Sequence, residues 1–391
     1  SPNLGTVADG EVAFDQGEYD RARSILRPLA DAGDPVAQFY LGKMYAEGRG
    51  IEKDEVQGVN WYRKAADRGH AKAENNLGVM HEYGTGVAKD EDEAARWYRK
   101  AADQGFPQAQ TNLGSLYEAG KDVVKDHAKA VGWYRKAAEQ GNVMAQNSLG
   151  MMYATGQGIT LDEAEAVRWF RKAAEQGHAR GQYNLGVAYA NGQGVAQDAA
   201  EAVRWYRTAA EQGDATAQNN LGVMYADGEG VIQNTAEAVR WYRKAAEQGH
   251  ASAQSNLGEM YAQGQGLAQD AAKAVSWYRK AAEQGGARGQ FNLGLAYADG
   301  QGVTQDAAEA VRWYRKAAEQ GHADAQNYLG GMYAKGQGVT QDAAEAVRWY
   351  RKAAEQGHAG GQSDLGVMYA MGQGVTQNAA EAVRWFRKAA E

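Results

Sequence analysis

The sequence predicts an all-α protein, an α-solenoid superhelix of stacked 36-residue helix-turn-helix repeats. Two observations lead to this prediction. All ten tryptophans, from Trp61 to Trp385, are spaced 36 residues apart, and the letters AEAVRWYRKAAEQG recur unchanged at 236–249, 308–321 and 344–357. A constant period of tens of residues is typical of an array whose units bury their apolar faces against their neighbours.

The first half of the repeat at 214–249 predicts an amphipathic helix. Leu221, Gly222 and Tyr225 follow three- and four-residue steps, which place them on one inward face, with Gly222 at a close contact. Gly228 and Gly230 then suit a helix end in the left-handed conformation, followed by a tight connection.

The second half predicts another helix, beginning at Asn234 and ending at Gly249. Glu237 lies three residues after Asn234, a spacing that allows the two residues to cap each other's free amides. Trp241 and Tyr242 alternate with alanines, so a neighbouring helix can approach closely. Two such helices cannot bury these rings alone, and the hairpins must therefore stack.

Ten hairpins of this kind are predicted to form one continuous solenoid over 34–391. They start at Asp34, His70, Phe106, Asn142, His178, Asp214, His250, Gly286, His322 and His358. Asp34 before Pro35 is a typical helix entry. Residues 1–33 keep the helical pattern without tryptophan, which predicts an atypical N-terminal capping hairpin.

Composition excludes several classes of function. With 42 basic and 49 acidic residues, the chain lacks the positive charge typical of nucleic-acid binding. Its apolar runs fall short of the roughly 20 residues needed to span a bilayer.

The absence of cysteine leaves the redox compartment open. A start without methionine fits either a trimmed chain or a mature protein that has lost a signal peptide.

The repeat resembles the Sel-one-like repeat, a relative of the tetratricopeptide repeat, in the pattern AQNNLGVMYADGEGV followed by AEAVRWYRKAAEQG. The resemblance covers 34–391, with departures at His81, where other units have tyrosine, and at 118–126, where the glycine pair is broken. It implies a concave groove lined by the first helices, an adaptor or scaffold function, and a bacterial origin with contacts to a host. It also implies a periplasmic or secreted location, the alternative being the cytoplasm.

Comparison of the repeats shows which positions of the first helix packing leaves free. They lie five and two residues before the leucine and two after it, and form a stripe that we expect to face the groove. The candidate partner-binding residues are Arg180, Tyr183, Asn184, Val187, Asn191, Asn220, Val223, Asp227, Arg288, Phe291, Asn292, Leu295 and Asp299.

Two features of this stripe have competing interpretations. Six repeats carry asparagine just before the leucine, and these amides either contact the backbone of a bound peptide or bond locally. Arg180 and Tyr183 recur three repeats later as Arg288 and Phe291. This recurrence reflects either duplication of a three-repeat block or a pair of similar binding sites.

No sequence feature supports catalysis, a cofactor or a metal site. The GQG strings follow helices and lack a phosphate-loop signature. The histidines at the helix entries belong to different repeats, too far apart to share one ion. Ten arginines, from Arg63 to Arg387, each precede an acid by four residues, as Arg207 precedes Glu211, which predicts ion pairs along the second helices.

The sequence therefore predicts a non-catalytic scaffold that binds a protein or peptide partner in its groove. The alternative is a secreted or periplasmic factor that recognises a host glycoprotein, a glycan or a cell-wall polymer through the same aromatics. The last repeat stops at Glu391, leaving no following helix to cover Trp385 and Phe386. This ending predicts either a truncated chain or self-association there.

Overall fold

A computed structural model describes residues 5–120 and 124–391 of the chain. Within these ranges it contains 22 helices and no strand. The helices are α1 (Val7–Asp15), α2 (Tyr19–Asp31), α3 (Pro35–Glu47), α4 (Glu55–Ala66), α5 (Ala71–Tyr83), α6 (Glu91–Asp103), α7 (Pro107–Ala119), α8 (His127–Glu139), α9 (Val143–Thr155), α10 (Glu163–Glu175), α11 (Ala179–Asn191), α12 (Ala199–Glu211), α13 (Ala215–Asp227), α14 (Thr235–Glu247), α15 (Ala251–Gln263), α16 (Ala271–Glu283), α17 (Ala287–Asp299), α18 (Ala307–Glu319), α19 (Ala323–Lys335), α20 (Ala343–Glu355), α21 (Ala359–Met371) and α22 (Ala379–Ala390).

The helices fall into two compact units, Ser1–Gln197 and Asp198–Glu391. In each unit, helices that follow one another in the chain pack together. The all-α architecture of stacked helix pairs predicted from the period is confirmed. That 34–391 forms one continuous solenoid stays a prediction.

Packing inside a hairpin depends on a small residue facing a ring. Leu221 of α13 is fully buried, and a Cβ at Gly222 would lie 2.6 Å from the ring of Tyr242 on α14. Trp241 is also buried, and the Lys244 ammonium lies 4.6 Å from its ring centroid. The predicted alternation of large rings and small residues is therefore what brings the two helices together.

The connections follow the predicted turn chemistry, with one difference. Gly228 ends α13 with φ 73°, and Gly230 has φ 66°. Asn234 caps α14 by accepting a hydrogen bond from the Glu237 amide at 3.1 Å. The Glu237 carboxylate does not return a bond to Asn234 but pairs with Arg240 at 3.3 Å. Arginine three residues on is the better partner, because it offers a full charge.

Five of the first helices begin at a histidine that acts as the N-cap. The Nδ1 atom of each accepts a hydrogen bond from the backbone amide three residues later, over 2.9–3.3 Å; they are His70, His178, His250, His322 and His358. Asp34 does the same before Pro35, accepting from the amides of Val36 and Ala37. The helix entries are thus capped by different residue types in the same position.

The prediction that the ten arginines of the second helices pair with the acid four residues later is wrong for eight of them. Arg207 donates to the Tyr225 hydroxyl at 2.7 Å, which lies on the next first helix, rather than pairing with Glu211. The same bond, between residues 18 apart, recurs for Arg99, Arg135, Arg171, Arg243, Arg279, Arg315 and Arg351. These arginines therefore join consecutive hairpins instead of forming ion pairs within one helix.

The remaining departures are local. Phe14 of α1 packs edge-on against Tyr40 of α3, and Leu26 of α2 is fully buried in the same core. His81 is buried, and neither ring nitrogen has a hydrogen-bond partner among the described residues. In the segment 118–126, Gly120 keeps the left-handed helix end with φ 68°, whereas residues 121–123 lie outside the described residues.

Candidate binding groove

In the first unit, the variable stripe lines a cavity of about 310 Å³ between α9 and α11. The α10 residues Val167 and Phe170 also line it, and both are buried. Four of the predicted residues line this cavity: Arg180, Tyr183, Asn184 and Val187. Its shape therefore comes from residues that differ between repeats, above a second helix that hardly changes.

The chemistry of this cavity is mainly apolar with a charged edge. The Arg180 guanidinium lies 4.7 Å from the ring centroid of Tyr183, within cation–π range. Arg180 is exposed, and Tyr183 is half-buried. Met151 completes the wall. An arginine beside a half-buried aromatic ring is a combination that often dominates binding energy at protein interfaces.

In the second unit, two of the four matching residues of the later copy, Asn292 and Leu295, line a smaller cavity of about 170 Å³. Asn292, Leu295 and Asp299 line it together with Tyr278. Arg288 does not line this cavity. It donates to Asn256 at 2.8 Å and forms an ion pair with Glu259. The two arginines therefore have different surroundings.

Phe291 is packed between neighbouring rings and not at the wall of either cavity just described. Its ring stacks on His322 at 4.8 Å and meets Tyr328 edge-on at 5.4 Å. It is half-buried. Phe39 stacks on His70 in the same way, so an aromatic residue at this position also supports the following repeat.

The other predicted residues lie on α11 and α13. Asn220 and Val223 are half-buried on α13, and Asp227 is exposed at its end. Asn191 is exposed at the end of α11. They remain on the predicted stripe, outside the cavities named above.

Several of the asparagines bond to the preceding repeat. Asn184 donates to Asn147 at 2.8 Å, Asn112 to Asn75 at 3.0 Å, and Asn256 to Asn219 at 3.0 Å. Asn292 donates to Glu259 at 2.8 Å. These amides thus donate between repeats, and the oxygens of Asn112 and Asn256 also accept hydrogen bonds, from Gln108 and Arg288.

A larger cavity, of about 680 Å³, lies among α17–α21 and was missed by the sequence analysis. We call it the Tyr314 cavity; its lining includes Asp299, Tyr314, Asn327, Tyr328, Gly331 and Asp364. Burial raises the pKa of Asp364, and burial also raises that of Tyr350, to about 12. The signal was present in the sequence. Tyr328 and Asp364 replace the common asparagine, and Gly331 stands where four repeats have valine.

Metal-ligand clusters and membrane-spanning helices are both absent from the described residues. No group of three or more histidine, cysteine, aspartate or glutamate side chains in them is arranged to hold a metal ion. Among the same residues, no helix combines the length and apolar character that crossing a bilayer requires.

The final hairpin differs from what its sequence predicts. Trp385 is buried, and the Lys388 ammonium lies 4.8 Å from its ring centroid. Phe386 and Val383 are the uncovered residues, at 40% and 48% exposure. A tryptophan in this position is therefore covered mostly by its own hairpin and the preceding one.

Comparisons with known proteins agree with this architecture. The model of the Sel1 repeat matches ten consecutive segments of the chain. They are 35–70, 71–106, 107–142, 143–178, 179–214, 215–250, 251–286, 287–322, 323–358 and 359–391. A search of curated proteins gives no significant match.

Solved structures similar to the chain include a protective antigen present in uropathogenic Escherichia coli strains that displays an SLR fold. It is 37% identical with a TM-score of 0.80, over 99% of this chain and 87% of that one. A Sel1 repeat protein from Oxalobacter formigenes is 36% identical with a TM-score of 0.57, over 62% of this chain and 96% of that one. A signal-transduction ATPase with a tetratricopeptide repeat sensor from Pyrococcus horikoshii shares the fold at 14% identity and a TM-score of 0.50, over 90% and 59%.

Proposed function

Because the chain belongs to the Sel1 repeat family, we propose that it is a non-catalytic scaffold that binds an extended segment of a protein partner along its first helices. Repeats of this kind generally mediate contacts between proteins. The observation that carries the proposal is that cavities open in both units between consecutive first helices, each lined by the variable stripe.

The cavity at Tyr183 is the best-formed anchor point for such a partner. It combines a half-buried aromatic ring, the Arg180 guanidinium and an apolar floor of Val167 and Phe170. Apolar pockets with a few polar groups at the edge are where interface side chains gain most from desolvation. An apolar or aromatic side chain of the partner fits this environment.

Selection of peptides from a displayed random library, followed by titration with two variants, tests the proposal. We expect Tyr183→Ala to weaken the selected peptides at least about tenfold, as removal of a hot-spot aromatic residue does. Tyr83→Ala is the control, because Tyr83 is 71% exposed at the end of α5 and lies outside these cavities. Equal affinity of the two variants would contradict binding in this groove.

The alternative function, recognition of a glycan or cell-wall polymer, uses the same aromatic residues. A glycan array probed with the unmodified chain and with Tyr183→Ala distinguishes the two. Glycan binding that requires Tyr183, in a chain that selects no peptide, would replace the protein partner by a carbohydrate.

Export to the periplasm or beyond the cell is part of the same proposal. Its support is the similarity to a protective antigen of uropathogenic strains. Fractionation of the native cells into cytoplasm, periplasm and medium, followed by immunodetection, tests it. A signal confined to the cytoplasm would be evidence for the alternative location.

Self-association through the last hairpin is the remaining proposal about partners. Phe386 is 40% exposed, whereas Tyr350, one repeat earlier at the same position, is buried. We expect sedimentation velocity to show concentration-dependent association that Phe386→Lys abolishes. Ile232→Lys, which alters a loop residue that is 89% exposed, should leave it unchanged. A monomer at all concentrations would refute the proposal.

A further inference from the structure

Two early repeats show how the space beneath a first helix can be filled by the chain itself. The Tyr98 hydroxyl on α6 donates to the Glu82 carboxylate on α5 at 2.6 Å. Tyr134 on α8 makes the same bond with Glu118 on α7, also at 2.6 Å. In these repeats a glutamate from the first helix satisfies the tyrosine.

At the Tyr314 cavity the same position carries only a methyl group. Alanine, Ala298, stands where the two early repeats have glutamate, and it lines the cavity with Tyr314. The Tyr314 side chain is 0% exposed, and its hydroxyl has no hydrogen-bond partner among the described residues. A buried hydroxyl of this kind calls for an explanation, and a ligand group is one.

The opposite wall supplies further groups that accept hydrogen bonds. The Asn327 Oδ1 atom is buried and also has no partner among the residues that the structure describes. The carboxylates of Asp364 and Asp299 line the same cavity. Asp364 replaces an asparagine found in six other repeats, and the change adds a negative charge to a half-buried position.

The floor of the cavity is shaped for entry of a side chain. Gly331 has no side chain where four repeats carry valine, and a Cβ there would meet only the Tyr350 hydroxyl, at 3.7 Å. Tyr328 lies 46% exposed beside Tyr314, with 5.6 Å between their ring centroids. Two carboxylates and the exposed Tyr328 ring thus line one space, beside the buried Tyr314 ring and the unpaired Asn327 amide oxygen, and a cation there would gain both charge and cation–π contacts.

We propose that the Tyr314 cavity receives the cationic end of a lysine or arginine side chain presented by the bound partner. The proposal rests on the function proposed above and adds the chemistry of one anchor. Lys335 also lines the cavity, but it supplies one positive charge against the two carboxylates and its side chain is exposed. The cavity therefore keeps a net negative lining.

Small probes test this site without any partner. The probes are N-acetyl-lysine N-methylamide, its neutral norleucine analogue and its glutamate analogue, titrated into the full chain while the Met332 methyl resonance is followed. Met332 lines the cavity, and Met44, in the other unit, serves as the remote reference. We expect saturable shifts of Met332 with the lysine probe and none with the other two.

Each of three variants introduces a residue that other repeats carry at the equivalent position, so each is expected to fold. Asp364→Asn should weaken the lysine probe at least about tenfold, because it removes the charge that faces the cation. Gly331→Val should abolish binding by filling the space. Ala298→Glu should abolish it by placing a carboxylate on Tyr314, as Glu82 does on Tyr98.

The matched control is Ala262→Glu, which makes the same change at the smaller cavity beside Tyr278. It should leave lysine-probe binding unchanged. Lys335→Ala should tighten binding, because it removes a competing cation. Equal binding of the norleucine probe, stronger binding of the glutamate probe, or an unchanged affinity in Asp364→Asn would each overturn the proposal.

The outcome is separable from that of the proposed function. Lysine-probe binding in a chain that selects no peptide would refute the scaffold function and keep the site. Selected peptides that depend on Tyr183 but carry no lysine or arginine preference, with no probe binding, would refute the site and keep the scaffold.

Discussion

Close contact between a glycine and an aromatic ring determines how tightly each hairpin closes. A Cβ at Gly222 would lie 2.6 Å from the Tyr242 ring, which is only 4% exposed and has little room to move. We expect Gly222→Ala to lower the free energy of unfolding by about 1–3 kcal/mol through overpacking. Urea denaturation monitored by circular dichroism measures it.

Gly132 provides the control for this substitution. It lies within α8, and a Cβ there would meet no described atom within 4 Å. Gly132→Ala should therefore stabilise the chain by about 0.5–1 kcal/mol, because it only reduces the entropy of the unfolded state. If both variants shifted the urea midpoint in the same direction, contact with the ring would not be the cause.

Residues whose role is set by local geometry were predictable from the sequence. The close approach at Gly222, the cap at Asp34 and the left-handed glycines follow from spacing within one hairpin. The partner of Arg207 was not, because Tyr225 lies 18 residues away and comes near only when the next hairpin stacks. Spacing along a helix favoured Glu211, and the stacked geometry supplied a different acceptor.

Helix capping by histidine makes the stability of several elements depend on pH. The caps of α5, α11, α15 and α19 accept hydrogen bonds through Nδ1, which only an unprotonated nitrogen can do. Burial lowers the pKa of His70, His178, His250 and His322 below the ordinary value of 6.5. The unfolded chain therefore binds protons at these residues before the folded chain does.

The contribution of these caps to stability is complete above about pH 6.5 and is lost as the pH falls through the lowered folded pKa values. We expect the urea midpoint to fall between pH 7.5 and pH 5.5, and to fall less when all four histidines are replaced by asparagine. Asn142 already caps α9 in this position, accepting from Ala145 at 3.0 Å. An equal fall in both proteins would show that other groups are responsible.

A buried glutamine links three consecutive helices, and the sequence analysis did not identify it. Gln218 on α13 is 3% exposed. It donates to the Ala210 carbonyl of α12 at 3.0 Å and accepts from Gln248, after α14, at 2.8 Å. A polar residue inside an otherwise apolar face has to be satisfied by its neighbours, and here both neighbouring helices contribute.

Replacement of this glutamine should cost more than replacement of its exposed partner. We expect Gln218→Leu to lower the free energy of unfolding by about 1–3 kcal/mol, since the buried Ala210 carbonyl loses its bond from the side chain. Gln248→Ala, at an exposed position, should cost about 1 kcal/mol or less. Equal costs in thermal or urea unfolding would show that the buried bond to α12 contributes little.

At the scale of the whole molecule, periodicity predicts the structural features that the repeats share but not the consequences of the positions at which they differ. The tryptophan spacing was sufficient to predict the stacked helix pairs, because every repeat buries its apolar faces against its neighbours in the same way. The Tyr314 cavity arises from departures, namely Gly331, Asp364 and Tyr328, whose joint effect depends on the packing of α19 against α21. Binding sites in such a chain are therefore to be sought where one repeat breaks the pattern of the others.

Packing between neighbours in chain order also decides how the molecule unfolds. In the second unit, each helix packs on those next to it in the chain, so a local defect should act over a short range. We expect native-state hydrogen exchange of Gly222→Ala to be faster in α12 to α15 and unchanged in α19 to α21. Mass spectrometry of peptic fragments resolves the two regions. If the whole unit opened in one cooperative step, protection would fall by the same factor in both regions, and the nearest-neighbour description would be wrong.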